Sequence, residues 1–361
     1  MRSRAVRALV ALVALVAGDD APRKPPLLRQ HGARDLHAGG EDLPSLPAVP
    51  PLGERTRMRW TPPADAPCPE GGVTELQLFL PAAWTRRAPG AGGWPVLVFL
   101  HGAGDGEWAT MNSQSLPRLL ASDQSTAFDP DPTWRLRWEG REYADAAFAA
   151  EWPFITLMPV GWTPDGAYGR RGWSAARLDR VRALALAAAA AYGGDPSRVS
   201  LAGQSAGGAG AWSFALRHPT FLAALVPICG HLADASPAAA RRLARLPIWV
   251  FHAADDVAMP VELSDEAVAA LNAGDARASA GARAVRYTRY EHAPGPPDPR
   301  YADMTGHASY DLAVRDPELA AWLLAQRNPR PPALEAAAAA PGADARSAAA
   351  RAQPWGWGGA L

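Results

Sequence analysis

The sequence predicts an α/β fold with a mostly parallel central sheet flanked by helices. Two observations carry that prediction: short apolar or β-branched runs bounded by Gly, Pro and Asp, and longer helix-compatible segments between the later ones. Strands that alternate with helices pack into a sheet covered on both faces, which is why the runs are apolar throughout. Size agrees. The chain has 361 residues, 48% of them hydrophobic, enough for a sizeable core in one large domain or two small ones.

In chain order, strands are predicted at 73–81 (VTELQLFLP), 95–101 (PVLVFLH), 153–159 (PFITLMP) and 198–203 (RVSLAG). Three more follow at 223–230 (AALVPICG), 246–252 (LPIWVFH) and 284–290 (AVRYTRY). Helices are predicted over 176–192, 206–217, 261–273 and 317–326, the last with Pro317 in its first turn after Asp316 as N-cap. Residues 102–152 break the rhythm, with Trp, Asp and Pro but no clean period. Such a segment suits an irregular insertion over the C-terminal edge of the sheet, as a pocket wall or lid.

The ends read differently. Arg2, Arg4 and Arg7 precede an apolar run from Ala8 to Ala17, the order of a signal peptide over residues 1–17. That run is too short for a stable membrane span, so a secreted or exported protein is expected, with a cytoplasmic one as the alternative. Residues 18–69 read as a linker or weakly ordered lead-in, 70–327 as the α/β domain, and 328–361 as a disordered tail. The formal net charge is zero, which argues against a nucleic-acid partner. Cys68 and Cys229 form neither a disulfide framework nor a metal spacing; one bridge is open to them in an exported protein, and Cys229 reads as a buried structural thiol. There is no H-E-x-x-H, no G-x-x-x-x-G-K-[ST] and no first-strand G-x-G-x-x-G, so neither metal nor cofactor is implied. Nothing in the sequence reports an oligomeric state.

The strongest chemical signal is RVSLAGQSAGGAGAW. A strand leads into Gly203-Gln204-Ser205-Ala206-Gly207, a G-x-S-x-G, and helix-compatible residues follow. A serine at a sharp strand-to-helix turn needs small neighbours, and the helix N-terminus adds a positive dipole end beside a developing oxyanion. Ser205 is therefore the candidate nucleophile. His101-Gly102-Ala103-Gly104 follows an upstream strand, where such a fold places one oxyanion amide; the residue after the serine supplies the other. The candidate oxyanion donors are the amides of Ala103 and Ala206, with His101 a loop-bracing residue.

In this arrangement the acid follows the serine and the base follows the acid. Past the strand LPIWVFH stand Asp255 and Asp256, and either one can orient an imidazole. His307, in GHASY before the last helix, is the favoured base; His292, after AVRYTRY, is the alternative. His218 and His231 lie too close to the serine and are read as structural.

As a set, VFLHGAG, LAGQSAGGAGAW, VPICG, LPIWVFHAADDVAMPV, VRYTRY, GHASY and ELAAWLLAQ resemble the α/β-hydrolases of the predicted peptidase and esterase type. These are related to the prolyl-oligopeptidase catalytic domain, feruloyl esterases and polyhydroxybutyrate depolymerases, and the resemblance covers roughly residues 73–327. It implies the α/β-hydrolase fold and Asp256 as the acid. It also supports His307, with Tyr310 as the aromatic after it, and sets Trp173 of RGWSAAR near a substrate pocket. Two departures stand out: Ala253 replaces a usual glycine, and EHAPGPPDPRYADMTGH is a long stretch before the base. The expected activity is hydrolysis of a small-molecule carboxylic ester through an acyl-enzyme. The alternatives are a serine peptidase and a non-catalytic binding module.

Overall fold

The computed structural model describes residues 43–62, 74–86, 92–102, 115–120, 146–161, 173–273, 279, 281, 284–296 and 303–334. Its strands are β1 (Arg55–Trp60), β2 (Thr74–Phe79), β3 (Trp94–Leu100), β4 (Ile155–Pro159), β5 (Gly194–Gln204), β6 (Ala224–Ile228), β7 (Trp249–Ala253) and β8 (Arg286–Tyr290). The helices among the described residues are α1 (Ser115–Leu119), α2 (Ala146–Glu151), α3 (Ala175–Tyr192) and α4 (Ala206–Arg217). After them come α5 (Pro237–Leu243), α6 (Glu262–Asn272), α7 (Ser309–Val314) and α8 (Leu319–Ala325).

The strands form one sheet in the order β1-β2-β4-β3-β5-β6-β7-β8. β2 is antiparallel to both β1 and β4, and every later pairing is parallel. Parallel strands need helical crossovers, so both faces are covered and β3, β4, β6 and β7 are buried almost end to end. The core divides accordingly. One cluster joins Val96, Val98, Leu201 and Val250 to α3 and Trp212, and the other joins Leu97, Phe99, Phe251 and Trp249 to Leu116, Tyr310 and Leu323.

Local chemistry fixes the central crossover. Ser174 caps α3 through its side chain, which accepts from the Arg177 N–H, and Gly193 ends the helix at φ 69°. β5 starts at once and runs to Gln204 beside β3. The last β5 residues therefore reach the C-terminal edge of the sheet, where β7 and β3 also end.

The lead-in includes β1, which pairs with β2 from Arg55↔Phe79 to Trp60↔Thr74 and buries Met58 and Trp60. Its alternate residues Arg57 and Arg59 face Glu75 across the pair. At the other end Asn328 is buried; its N–H donates to the Ser197 carbonyl and its Nδ2 to the carbonyls of Thr220 and Phe221, so the chain is anchored past residue 327. The segments 1–17 and 335–361, and most of the 102–152 insertion, lie outside the described residues. Within that insertion α1 is described, tied to α7 by a 2.8 Å hydrogen bond from the Ser115 N–H to Asp311 Oδ1. No helix among the described residues is long and apolar enough to cross a membrane.

Candidate active site

Ser205 stands between β5 and α4 with φ 53° and ψ −118°, one of three non-glycine residues at positive φ among the described residues. Such a conformation costs on the order of 1–3 kcal/mol and persists only where its surroundings impose it. Here the Ser205 N–H donates to the Ile228 carbonyl at 2.9 Å, and the Ala209 N–H donates to the Ser205 carbonyl at 3.0 Å. Helix α4 crosses β3 so closely that a Cβ on Gly207 would overlap the Leu100 carbonyl. Gly207→Ala is accordingly expected to push the helix off the sheet and lower stability by about 1–3 kcal/mol, measurable by urea unfolding. Ser205 and Ala206 remain partly exposed, so the hydroxyl is reachable.

His307 Nε2 lies 2.9 Å from Ser205 Oγ. On the other side of the ring, Nδ1 lies 2.9 Å from Asp256 Oδ2 and 3.1 Å from Oδ1. With Nδ1–H donating to the carboxylate, Nε2 is the lone-pair nitrogen that accepts from the serine hydroxyl. Gly306 makes this placement possible. It has φ 79°, and a Cβ there would overlap the Asp255 carbonyl, so the His307 loop passes directly over the turn that holds Asp255 and Asp256. The Val257 N–H donates to the Thr305 carbonyl, and the Ala308 N–H to the Pro294 carbonyl, which clips the His307 loop to both neighbours.

The two adjacent aspartates divide between two histidines. Asp256 is buried and faces His307, whereas Asp255 accepts from the Ala293 N–H and meets His292 at 3.3 Å. The His292 side chain is 87% exposed, where that of His307 is 9% exposed. His218 pairs with Asp179 at the C-terminal end of α4, away from the serine.

The Asp256 carboxylate is held by more than His307. Its Oδ1 accepts from the N–H groups of Ala258 and Met259 at 2.9 and 2.8 Å, and its Oδ2 lies 3.2 Å from His252 Nε2. Burial alone raises this carboxyl, but the hydrogen bonds from His252 and His307 and the backbone of Met259 outweigh it, leaving the group well below the usual carboxylate range. His252, fully buried, donates from Nε2 to both Asp256 and the Met259 carbonyl, and its Nδ1 accepts from the Ser264 hydroxyl at 2.7 Å. Sequence reasoning missed this residue. The available signal was a lone polar side chain in an apolar β7 run, which demands a buried partner, with an acid four residues on. His252→Ala is expected to lose about 1–3 kcal/mol in urea unfolding, and His252→Gln to recover part of it by restoring a donor near the Nε2 position.

On the oxyanion side, Gly102 lies beside the serine; a Cβ there would sit 3.3 Å from the Ser205 Cβ. Ala206 opens α4, so its N–H has no intrahelical acceptor. Ala103 lies outside the described residues. His101 braces the loop: Nδ1 donates to the Gly102 carbonyl at 2.7 Å and Nε2 accepts from the Gly161 N–H at 3.0 Å. Burial pushes its pKa down to about 4, against a smaller upward effect of the Gly102 bond, so the ring is neutral. Trp173, expected near the pocket, is buried. Its indole N–H donates to the His101 carbonyl at 3.1 Å and its ring packs against Gly161 and Gly210, so it fixes the His101 turn from behind.

Cys229 is a buried free thiol whose sulfur lies within 4.8 Å of donor atoms of Asp256 and His307. Burial, then the charge of Asp256, pushes the thiol pKa up, so it stays protonated. A metal needs the thiolate, and the other two donors are already bonded to each other, so this set suits proton transfer better than ligation.

No protein-family model matches the chain, and no curated protein matches it by sequence. Among solved structures, a thermostable esterase superposes with a TM-score of 0.52 at 24% identity, over 76% of this chain and 64% of that one. The fold is that of an α/β-hydrolase. Its sheet order and a single reversed strand among parallel ones agree with that likeness. The chain spans 64% of the esterase's length, and what the two share is the fold. Weaker likenesses, too distant to bear on the argument, reach puromycin hydrolase (TM-score 0.45, 17% identity, 80% of this chain and 42% of that one). Another is the feruloyl esterase module of Clostridium thermocellum (TM-score 0.42, 13% identity, 74% and 89%).

Proposed function

We propose that the chain is a serine hydrolase that cleaves a carboxylic ester, with Ser205 as nucleophile, His307 as general base and acid, and Asp256 as the orienting carboxylate. The observation that carries this reading is the continuous hydrogen-bonded line from Ser205 Oγ through His307 to Asp256, each step near 2.9 Å. A nucleophile within reach of a base that a third group orients is what acyl transfer requires.

In the first half-reaction the Ser205 hydroxyl proton moves to His307 Nε2 as Oγ bonds to the carbonyl carbon. Asp256 stabilises the imidazolium and holds its tautomer. The charge on the former carbonyl oxygen falls to the amides of Ala206 and Ala103, each such donor being worth roughly 2.7–4 kcal/mol in turnover. Collapse of the tetrahedral species breaks the ester C–O bond, and the leaving alkoxide takes the proton from Nε2 as an alcohol. Water then repeats the sequence on the acyl-serine, releasing the carboxylic acid and returning the proton to Ser205. Trp173 and His101 act by holding the loop that leads to Ala103, and His252 by holding Asp256.

Preference for an ester over an amide is supported by the fold likeness to a thermostable esterase. The test is a matched pair of substrates, a p-nitrophenyl ester and the corresponding p-nitroanilide. The ester is expected to turn over at least a hundredfold faster. Equal or faster cleavage of the anilide would make the chain a peptidase.

A further inference from the structure

We propose that a cleft at the opposite edge of the sheet, behind the serine site, binds an amphiphilic anion: a carboxylate or phosphate head on a short apolar body. The cleft holds about 940 Å³, within the usual range of small-molecule sites. It opens where β6 and β7 begin, since Pro219, Thr220 and Leu222 precede the first and Leu246 and Pro247 the second. Ser205 and Asp256 follow the far ends of β5 and β7, so the cleft is no part of their pocket.

Its composition is one-sided. Arg241, Arg242, Arg245, Arg327 and Arg330 line it, with no acidic residue among the described lining, in a chain whose acidic and basic residues balance at 36 each. All five are exposed. Arg242 is steadied by donating to the Leu216 carbonyl, and Arg327 by donating to the carbonyls of Leu324 and Gln326. Arg241, Arg245 and Arg330 have no acidic partner among the described residues. The nearby Asp234 is turned to the Ser236 N–H, which it accepts.

The floor is apolar, from Leu222, Ala240, Ala244 and Leu246, all buried. One wall is built in advance: Asn328 ties the 327–330 segment to Thr220 and Phe221 through Nδ2, and its Oδ1 accepts from the Arg330 N–H at 2.9 Å. Guanidinium groups recognise planar or tetrahedral oxyanions through paired donors, while the floor takes up the chain of the ligand. Head and body together define an amphiphile, not a bare ion. This inference does not depend on the serine chemistry.

Isothermal titration of the full chain with octanoate, octyl phosphate, 1-octanol and inorganic phosphate tests it. At least one of the two amphiphilic anions is expected to bind roughly tenfold or more tightly than 1-octanol and than inorganic phosphate, and which one binds better identifies the head. In Arg241→Gln/Arg245→Gln, with an unchanged melting curve, that binding should weaken by roughly tenfold. Three results would overturn the proposal: no binding of either anion, equal binding of the alcohol, or binding that survives the arginine substitutions but vanishes once Ser205 is blocked.

Discussion

Replacing Ser205 or His307 by alanine is expected to lower the turnover of an activated ester by roughly five to six orders of magnitude, with the double variant no worse than either single one. Residues of such a unit are strongly non-additive, because each is useless to the others once one is missing. The residual rate comes from the oxyanion donors and from binding. Neither substitution should disturb the fold. Ser205 is partly exposed, and the base loop is held by backbone bonds that do not involve the imidazole. Stopped assays on the two single variants and the pair check both the size and the non-additivity. Additive losses would mean that the two side chains act separately.

Asp256→Asn is expected to cost roughly ten-thousandfold in kcat, since an amide offers His307 the wrong partner and the wrong tautomer. Asp255→Asn should change kcat by less than twofold, because that carboxylate serves the surface pair with His292. The same substitution at Asp256 has a pH signature. Hydrogen bonds from His252 and His307 and the Met259 backbone hold its pKa below the unfolded value, despite burial. The folded state therefore binds fewer protons than the unfolded state in the acid range. The stability that the carboxylate contributes is full above the unfolded pKa, near 4 for a model carboxyl, and is lost as the pH falls through the folded one. Urea unfolding of wild type and Asp256→Asn should differ most at neutral pH and converge towards pH 2. A gap that is constant with pH would mean that the charge of Asp256 does not contribute.

Much of this fold is legible from residues alone, and the reasons are local. β3, β4, β6 and β7 are buried on both faces, so their apolar runs stand out; α3 announces its end with Gly193, and the elbow with Gly203, Gly207 and Gly208. β1 escaped because it is an edge strand, RTRMRW, in which only Met58 and Trp60 turn inward. Helix α5 is short, and its Ser236 cap and Pro237 look like loop residues until they are seen to start a helix.

The site divides in the same way. Ser205 is encoded by a turn whose steric demands fall on neighbouring residues, so its setting can be read directly. The choice of Asp256 over Asp255 depends on which of two successive side chains turns inward after β7, and that is set by the loop of His307 crossing at Gly306. His252 and Trp173 act through tertiary contacts alone. The first meets Ser264 from α6, and the second meets the turn after β3 from across the sheet edge.

The most direct measurement is labelling of the purified chain with a fluorophosphonate, followed by peptide mapping of the modified residue. An activated Ser205 predicts one label per chain, on Ser205, absent from Ser205→Ala and strongly slowed in His307→Ala. A folded wild type that takes up no label, or takes it up on another residue, would contradict Ser205 as the nucleophile.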